Sequence, residues 1–173
     1  RRRLSLAAFE RTAAYDAAIH AWLAGQEAGD EEALPARLSV DVSRASSLRY
    51  GENPHQRAAL YGRTLEIAEP LHGKELSFNN LVDVQAALAL TLEFDPDDSA
   101  VVGILKHNTP CGVGMGDSPL QAYQNAFETD PESPFGGVIV CNHPFDLALA
   151  EQVDQIFTEV LVAPSFSAEA LEL

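Results

Sequence analysis

At 173 residues and 46% hydrophobic content, the chain can bury one sizeable core with room for a short appendage. A formal net charge of -15 excludes a surface built for nucleic acid or anionic lipid, because such partners need clustered Lys and Arg to displace counterions. No apolar run approaches the roughly 20 residues of a membrane span, and the segment after Arg1-Arg2-Arg3 is amphipathic rather than uniformly apolar, unlike a signal peptide. Cys111 and Cys141 stand in different predicted elements and give no disulfide framework, so the expected setting is the reducing cytoplasm.

Leu4, Ala8, Phe9, Tyr15, Ile19, Trp22 and Leu23 approximate helical spacing, which predicts a helix over 4–24 with Gly25 as its stop. Helical pattern is already under way at the first residues, none of them Met, and Leu173 closes what reads as another helix. A piece of a longer protein is therefore expected. The acidic, aperiodic stretch at 26–37 reads as a linker. Leu38, Val40 and Val42 alternate with polar residues and predict a half-exposed strand.

The stretch Leu48-Arg49-Tyr50-Gly51-Glu52-Asn53-Pro54-His55-Gln56 is too rich in Gly, Asn and Pro for regular structure, yet it concentrates Arg, Tyr, His and Gln. Arg49 supplies a planar fork suited to phosphate, and Tyr50 adds a hydroxyl donor. A short apolar segment at Ala58 to Tyr61 and a polar loop at 71–80 lead into a helix carrying Leu81, Val84, Leu88 and Leu92 on one face, with Ser77, Asn79 or Asn80 as its cap.

The apolar run from Ala100 to Leu105 predicts a buried central strand that delivers Lys106 and His107 to its carboxyl end, where ligands collect in open α/β sheets. A Lys at the mouth of an apolar strand loses solvation, and a neutral His accepts a proton near neutrality, so the two suit a base and an electrophilic helper. Neighbours on a strand point to opposite faces, so the pair can serve one substrate only if the chain turns there, as Asn108-Thr109-Pro110 and Gly112 suggest. A snorkelling Lys106 and a packed His107 remain the plain alternative.

Cys111 invites a thiol or zinc reading. Zinc is rejected, because Pro110-Cys111 is followed by Gly112-Val113-Gly114 and no His-x-Glu occurs. Gly112, Gly114 and Gly116 suit either a phosphate cradle or a plain flexible turn. Asp117 or Ser118 ahead of Pro119 predicts a helix start with Leu120, Tyr123, Ala126 and Phe127 buried. Gly137 to Cys141 and Val160 to Ala163 predict strands on either side of a helix over 146–157. This alternation predicts an α/β fold with parallel pairing from residue 100 on.

Taken together, Arg49-Tyr50-Gly51-Glu52-Asn53-Pro54-His55-Gln56, Ser77-Phe78-Asn79-Asn80-Leu81-Val82-Asp83, Lys106-His107 with Pro110-Cys111-Gly112, and Ser133-Pro134-Phe135-Gly136-Gly137 resemble one family. It is the bifunctional purine-biosynthesis enzyme that joins aminoimidazole carboxamide ribonucleotide (AICAR) formyltransferase to inosine monophosphate (IMP) cyclohydrolase. The resemblance implies a three-layer α/β/α, cytidine-deaminase-like fold with a mixed sheet largely parallel from residue 100 on. It implies that 1–25 is the last helix of a cyclohydrolase domain, 26–37 a linker, and 38–173 the first half of the formyltransferase domain.

The implied reaction moves a formyl group from 10-formyltetrahydrofolate, a co-substrate, to AICAR, with no metal. By the same resemblance, Arg49 and Tyr50 contact the nucleotide phosphate, Asn80 and Gly136 line the nucleotide, Glu159 stands near its base or ribose, and Lys106 and His107 form the catalytic pair. A homodimer is implied, with Arg49 of one subunit serving the other's site. The folate-binding residues are expected outside these 173 residues, so the segment alone is expected to be inactive. Two other readings stand beside this one: a non-catalytic nucleotide-binding or assembly module, and a cysteine-dependent hydrolase using Cys111 and His107.

Overall fold

The computed structural model describes residues 1–27 and 38–173, in two compact units, Arg1–Asp41 and Val42–Leu173. In the first unit, α1 spans Arg2–Glu27 and so continues through Gly25, the expected stop. Gln26 and Glu27 are helical where a linker was expected, and the remainder of that linker lies outside the described residues. No helix among the described residues is long and apolar enough to cross a membrane.

The alternation at Leu38 to Val42 forms no strand, and residues 38–43 have no regular structure. A strand needs a partner ladder, and the paired segment begins only at β1 (Arg44–Ser47), which runs antiparallel to β2 (Ala59–Tyr61). A single turn of helix, α2 (Thr64–Ile67), follows before α3 (Phe78–Thr91).

The core of the second unit is a four-stranded sheet of β3 (Ala100–Lys106), β4 (Thr109–Gly116), β5 (Gly137–Cys141) and β6 (Thr158–Val162), in the order β4-β3-β5-β6. Period-two alternation splits β3 cleanly. Val102 and Ile104 join Ile139, Cys141 and Phe145 in a cluster with Ala122, Tyr123 and Ala126 of α4 (Pro119–Thr129) and Leu149 and Val153 of α5 (Leu147–Val153). Leu105 joins Val138 and Val140 on the other face, against Val84, Ala87 and Leu90 of α3. The sheet is thus covered on both faces, giving three α/β/α layers, and a last short helix, α6 (Ala168–Glu172), follows β6. Ile104 and Leu105 are fully buried on opposite faces, and each such side chain contributes roughly 1.5–3 kcal/mol.

The sheet is mixed, but the expectation of largely parallel pairing is not met. β3 pairs antiparallel with both β4 and β5, and only β5 with β6 is parallel. The cause is a two-residue connection, His107-Asn108, between Lys106 and Thr109, because a loop so short can only join antiparallel strands. The helical crossovers behave as expected: β4 and β5, joined by α4, point the same way on either side of β3, and β5 and β6, joined by α5, are parallel neighbours.

The glycines of β4 are neither a phosphate cradle nor a loop. A Cβ on Gly112 would lie 2.0 Å from the Ala126 carbonyl oxygen, and one on Gly114 would lie 2.1 Å from that of Ala122. They are the face on which the α4 backbone rests directly.

Candidate functional site

Lys106 ends β3 half-buried, and its Nζ donates a hydrogen bond to the Phe135 carbonyl at 2.8 Å. The next residue, Gly136, has φ +74, a left-handed conformation that a side chain would resist, and its N–H donates to the Phe157 carbonyl at 2.7 Å. Two residues beyond Phe157, the exposed Glu159 accepts a 2.6 Å hydrogen bond from Asn80 Nδ2. This bond ties β6 to the first turn of α3.

Asn80 sits third in that helix and completes a capping box. Its Oδ1 accepts from the Ser77 N–H and hydroxyl, while the Ser77 oxygen accepts from the Asn80 N–H. Both residues are buried, and the Asn80 amide gives its oxygen to the cap and one N–H to Glu159. The Arg49-Tyr50 loop is stitched to the same helix end. The Arg49 N–H donates to the Leu76 carbonyl, the Phe78 N–H to the Tyr50 carbonyl, and Asn79 Nδ2 to the Glu52 carbonyl. The Arg49 guanidinium lies 4.9 Å from the centre of the Tyr50 ring and donates to its hydroxyl at 3.2 Å. A shallow cavity of about 600 Å³ beside it is lined by Arg44, Arg49, His55 and Arg57, a concentration of positive charge in a strongly acidic chain.

His107 and Asn108 form the turn between β3 and β4, with φ 53 and φ 64. Both are exposed. The Asn108 N–H donates to Asp83 Oδ1 of α3 at 2.7 Å. Asp83 stands in a motif quoted from the sequence, but its residue type and spacing gave no sign of this role, since the contact spans 25 residues.

The predicted residues therefore gather at one end of the sheet. Asn80 touches Glu159 directly, Arg49 and Tyr50 are held against residues 76–79, and Lys106 reaches the carbonyl preceding Gly136. That end is the carboxyl end of β3, but the amino end of β4, β5 and β6, so the rule that placed a ligand beyond the carboxyl ends applies to only one strand. Alternation also sets Lys106 on the same side as Ile104, facing the α4 layer, whereas Asn80 lies in the α3 layer.

Cys111 is the extra residue of a bulge, since Ile104 pairs with Gly112 and Leu105 with Pro110. Burial and the Asp130 carboxylate push its thiol up, against a smaller opposing pull from Lys106, and a raised thiol is a poor nucleophile. Among the described residues, no group of three or more His, Cys, Asp or Glu side chains is placed to hold a metal ion.

These features define a three-layer α/β protein whose polar side chains converge on the capped end of one helix. The chain matches the AICARFT/IMPCHase bienzyme family over residues 1–173, and it belongs to that family. It is similar to the bifunctional purine biosynthesis protein PurH of Chloroflexus aurantiacus, with 48% identity over 173 residues covering 100% of this chain and 33% of the relative. The PurH proteins of Pelodictyon phaeoclathratiforme (45% identity, 98% of this chain, 34% of the relative) and Myxococcus xanthus (47%, 100% and 34%) are similar to a comparable degree. The chain spans about a third of the length of these curated relatives.

Proposed function

We propose that this chain supplies the nucleotide-handling part of an AICAR formyltransferase site within a bifunctional AICAR formyltransferase/IMP cyclohydrolase of purine biosynthesis. The observation that carries the reading is the convergence on α3. One helix end holds the Arg49-Tyr50 loop and the Asn80–Glu159 pair, and through Asp83 it grips the turn bearing His107. In this assignment Arg49 and Tyr50 take the nucleotide phosphate, Asn80, Gly136 and Glu159 border the nucleoside, and α1 is the last helix of the cyclohydrolase part.

The transfer joins the AICAR amine to the formyl carbon of 10-formyltetrahydrofolate and breaks the bond from that carbon to the folate nitrogen. His107 takes a proton from the attacking amine. Lys106 has three donors, of which the Phe135 carbonyl engages one, and the others stabilise the developing oxyanion or return a proton to the departing nitrogen. The folate side of the site, a homodimeric arrangement in which Arg49 serves a neighbouring subunit, and a cytoplasmic setting belong to the same proposal. The 173-residue chain alone is expected to be inactive.

The test is formyl transfer by the full-length protein carrying Lys106→Ala or His107→Ala, together with AICAR calorimetry of Arg49→Ala. Loss of turnover with retained AICAR binding in the first two, and weakened binding in the third, is expected. Wild-type turnover in either of the first two overturns the catalytic assignment, and AICAR binding by the full-length protein without any turnover favours a binding module.

A further inference from the structure

We propose that Asp83 is a positioning residue for the transfer. From α3 it holds the His107-Asn108 turn in its left-handed form and so fixes where the His107 ring stands. The inference rests on the reading of His107 as the proton acceptor.

The turn is unusual for its sequence. Two-residue hairpin loops with positive φ at both central positions are the territory of Asn-Gly and Asp-Gly, because a side chain crowds the backbone there. Here His107 at φ 53 and Asn108 at φ 64 both carry side chains. His and Asn tolerate this conformation better than most residues, but two in succession need support. The ladder gives none inside the loop, since the last paired residues are Lys106 and Thr109. The Thr109 hydroxyl reaches the His107 carbonyl only at 3.5 Å, whereas the Asn108 N–H meets Asp83 Oδ1 at 2.7 Å. That is a charge-assisted bond from a different layer of the fold.

The tie also has the right reach. Asp83 lies one turn of helix after Asn80, which is bonded to Glu159, so one rigid segment references the turn to the nucleotide-side residues. The sheet does not depend on the tie. β4 is held by its ladder with β3 and by the direct seating of α4 on Gly112 and Gly114. Removing the Asp83 carboxylate should therefore free the turn while leaving the strands in register.

The experiment uses the full-length protein with Asp83→Ala, Asp83→Asn, Asn108→Gly and the double variant Asp83→Ala/Asn108→Gly. Asp83→Ala should lower kcat for formyl transfer by about tenfold or more, because ångström-scale misplacement of a reacting group costs that order, with KM for AICAR changed by less than about threefold. Asp83→Asn keeps an acceptor oxygen and should retain most activity. Asn108→Gly should be near wild type, and in the Asp83→Ala background it should restore most of kcat, since glycine adopts the left-handed conformation unaided. Hydrogen exchange at the Asn108 amide should quicken about tenfold in Asp83→Ala.

Wild-type kcat in Asp83→Ala, or a lowered kcat that Asn108→Gly leaves unrestored, overturns the positioning role. Full activity in His107→Ala instead overturns the reading beneath it, and quickened exchange at Asn108 would then still show Asp83 holding the turn, without a catalytic purpose.

Discussion

Replacing Asn80 by Asp exchanges one amide nitrogen for an oxygen and changes almost nothing in shape, yet it strikes the contact that joins α3 to β6. Asn80 Nδ2 donates to Glu159 Oε2 at 2.6 Å, while Oδ1 serves the Ser77 cap. With the cap oxygen retained, the new oxygen faces a carboxylate. Two full charges at that distance repel by about 6 kcal/mol at an effective dielectric of about 20, and by under about 2 kcal/mol in bulk water. Glu159 is exposed, so solvent screens the pair toward the lower figure. The repulsion also has a ceiling, because the new carboxyl can stay protonated in the folded state. From an ordinary Asp value of about 3.9, that costs about 4 kcal/mol at pH 7 and about 1.5 kcal/mol at pH 5. The loss of a hydrogen bond to a charged group, about 1.5 kcal/mol or more, sets the floor. Asn80→Asp should therefore destabilise the full-length protein by about 2–4 kcal/mol at pH 7. The sign with pH follows from a folded-state pKa raised above the unfolded one: the penalty vanishes below about pH 3.9 and grows as pH rises, until the folded carboxyl also ionises. Urea unfolding at pH 7 and pH 5, each referred to wild type, measures it. A loss of equal size at both pH values, or none at pH 7, would show that the Asn80–Glu159 bond does not set the energetics of this corner.

Gly114→Ala places a methyl about 2.1 Å from the Ala122 carbonyl oxygen and 2.4 Å from the Ala126 nitrogen, both backbone, so α4 must back away from the sheet. Overpacking of this kind costs about 1–3 kcal/mol or more, and a fall of several degrees in the melting temperature is expected; an unchanged value would contradict the close seating of α4. The Cys111 thiol, raised by burial and Asp130, should react slowly with iodoacetamide at pH 7 and faster as pH rises beyond the ordinary thiol range, whereas fast alkylation at neutral pH would refute the raised thiol. The Asp130 carboxyl is held below its ordinary range by the Ser133 hydroxyl and by the Ser133 and Glu132 N–H groups. Its lowered pKa gives stability that is present above about pH 3.9 and lost as pH falls through the folded value. Ser133→Ala should therefore lower stability at pH 6 and differ little from wild type near pH 2; a loss of the same size at both pH values would refute the assignment.

What was legible in the sequence is what local chemistry decides. The apolar runs at 100–105 and 137–141 became the expected strands, and of the candidates offered for the two helix starts, Ser77 and Ser118 are the caps. β4 was not legible. Thr109-Pro110-Cys111-Gly112 is poor in strand formers, and its glycines are explained only by a helix backbone that the sequence does not place beside them. Missing that strand reversed the direction assigned to β3, because the hairpin signal was a His-Asn pair rather than Asn-Gly. At the candidate site, the sequence singled out chemically conspicuous residues but not Asp83, whose hydrogen bond to the Asn108 N–H spans 25 residues. The expected face of α3 shifted as well: Leu92 is exposed, while Ala87 and Thr91 are buried.

Among the described residues, the polar ties of α3 to the Arg49-Tyr50 loop, to β6 and to the β3–β4 turn fall between Ser77 and Asp83, and its later turns meet the sheet through apolar side chains. The helix is anchored like a cantilever, clamped at one end and resting at the other. The two ends are held by different means, polar contacts at the start and the burial of Ala87, Leu90 and Thr91 toward the finish. Tolerance to sequence drift should change in kind along this one helix: polar identity is constrained at its start, and side-chain volume at Ala87, Leu90 and Thr91 toward its finish.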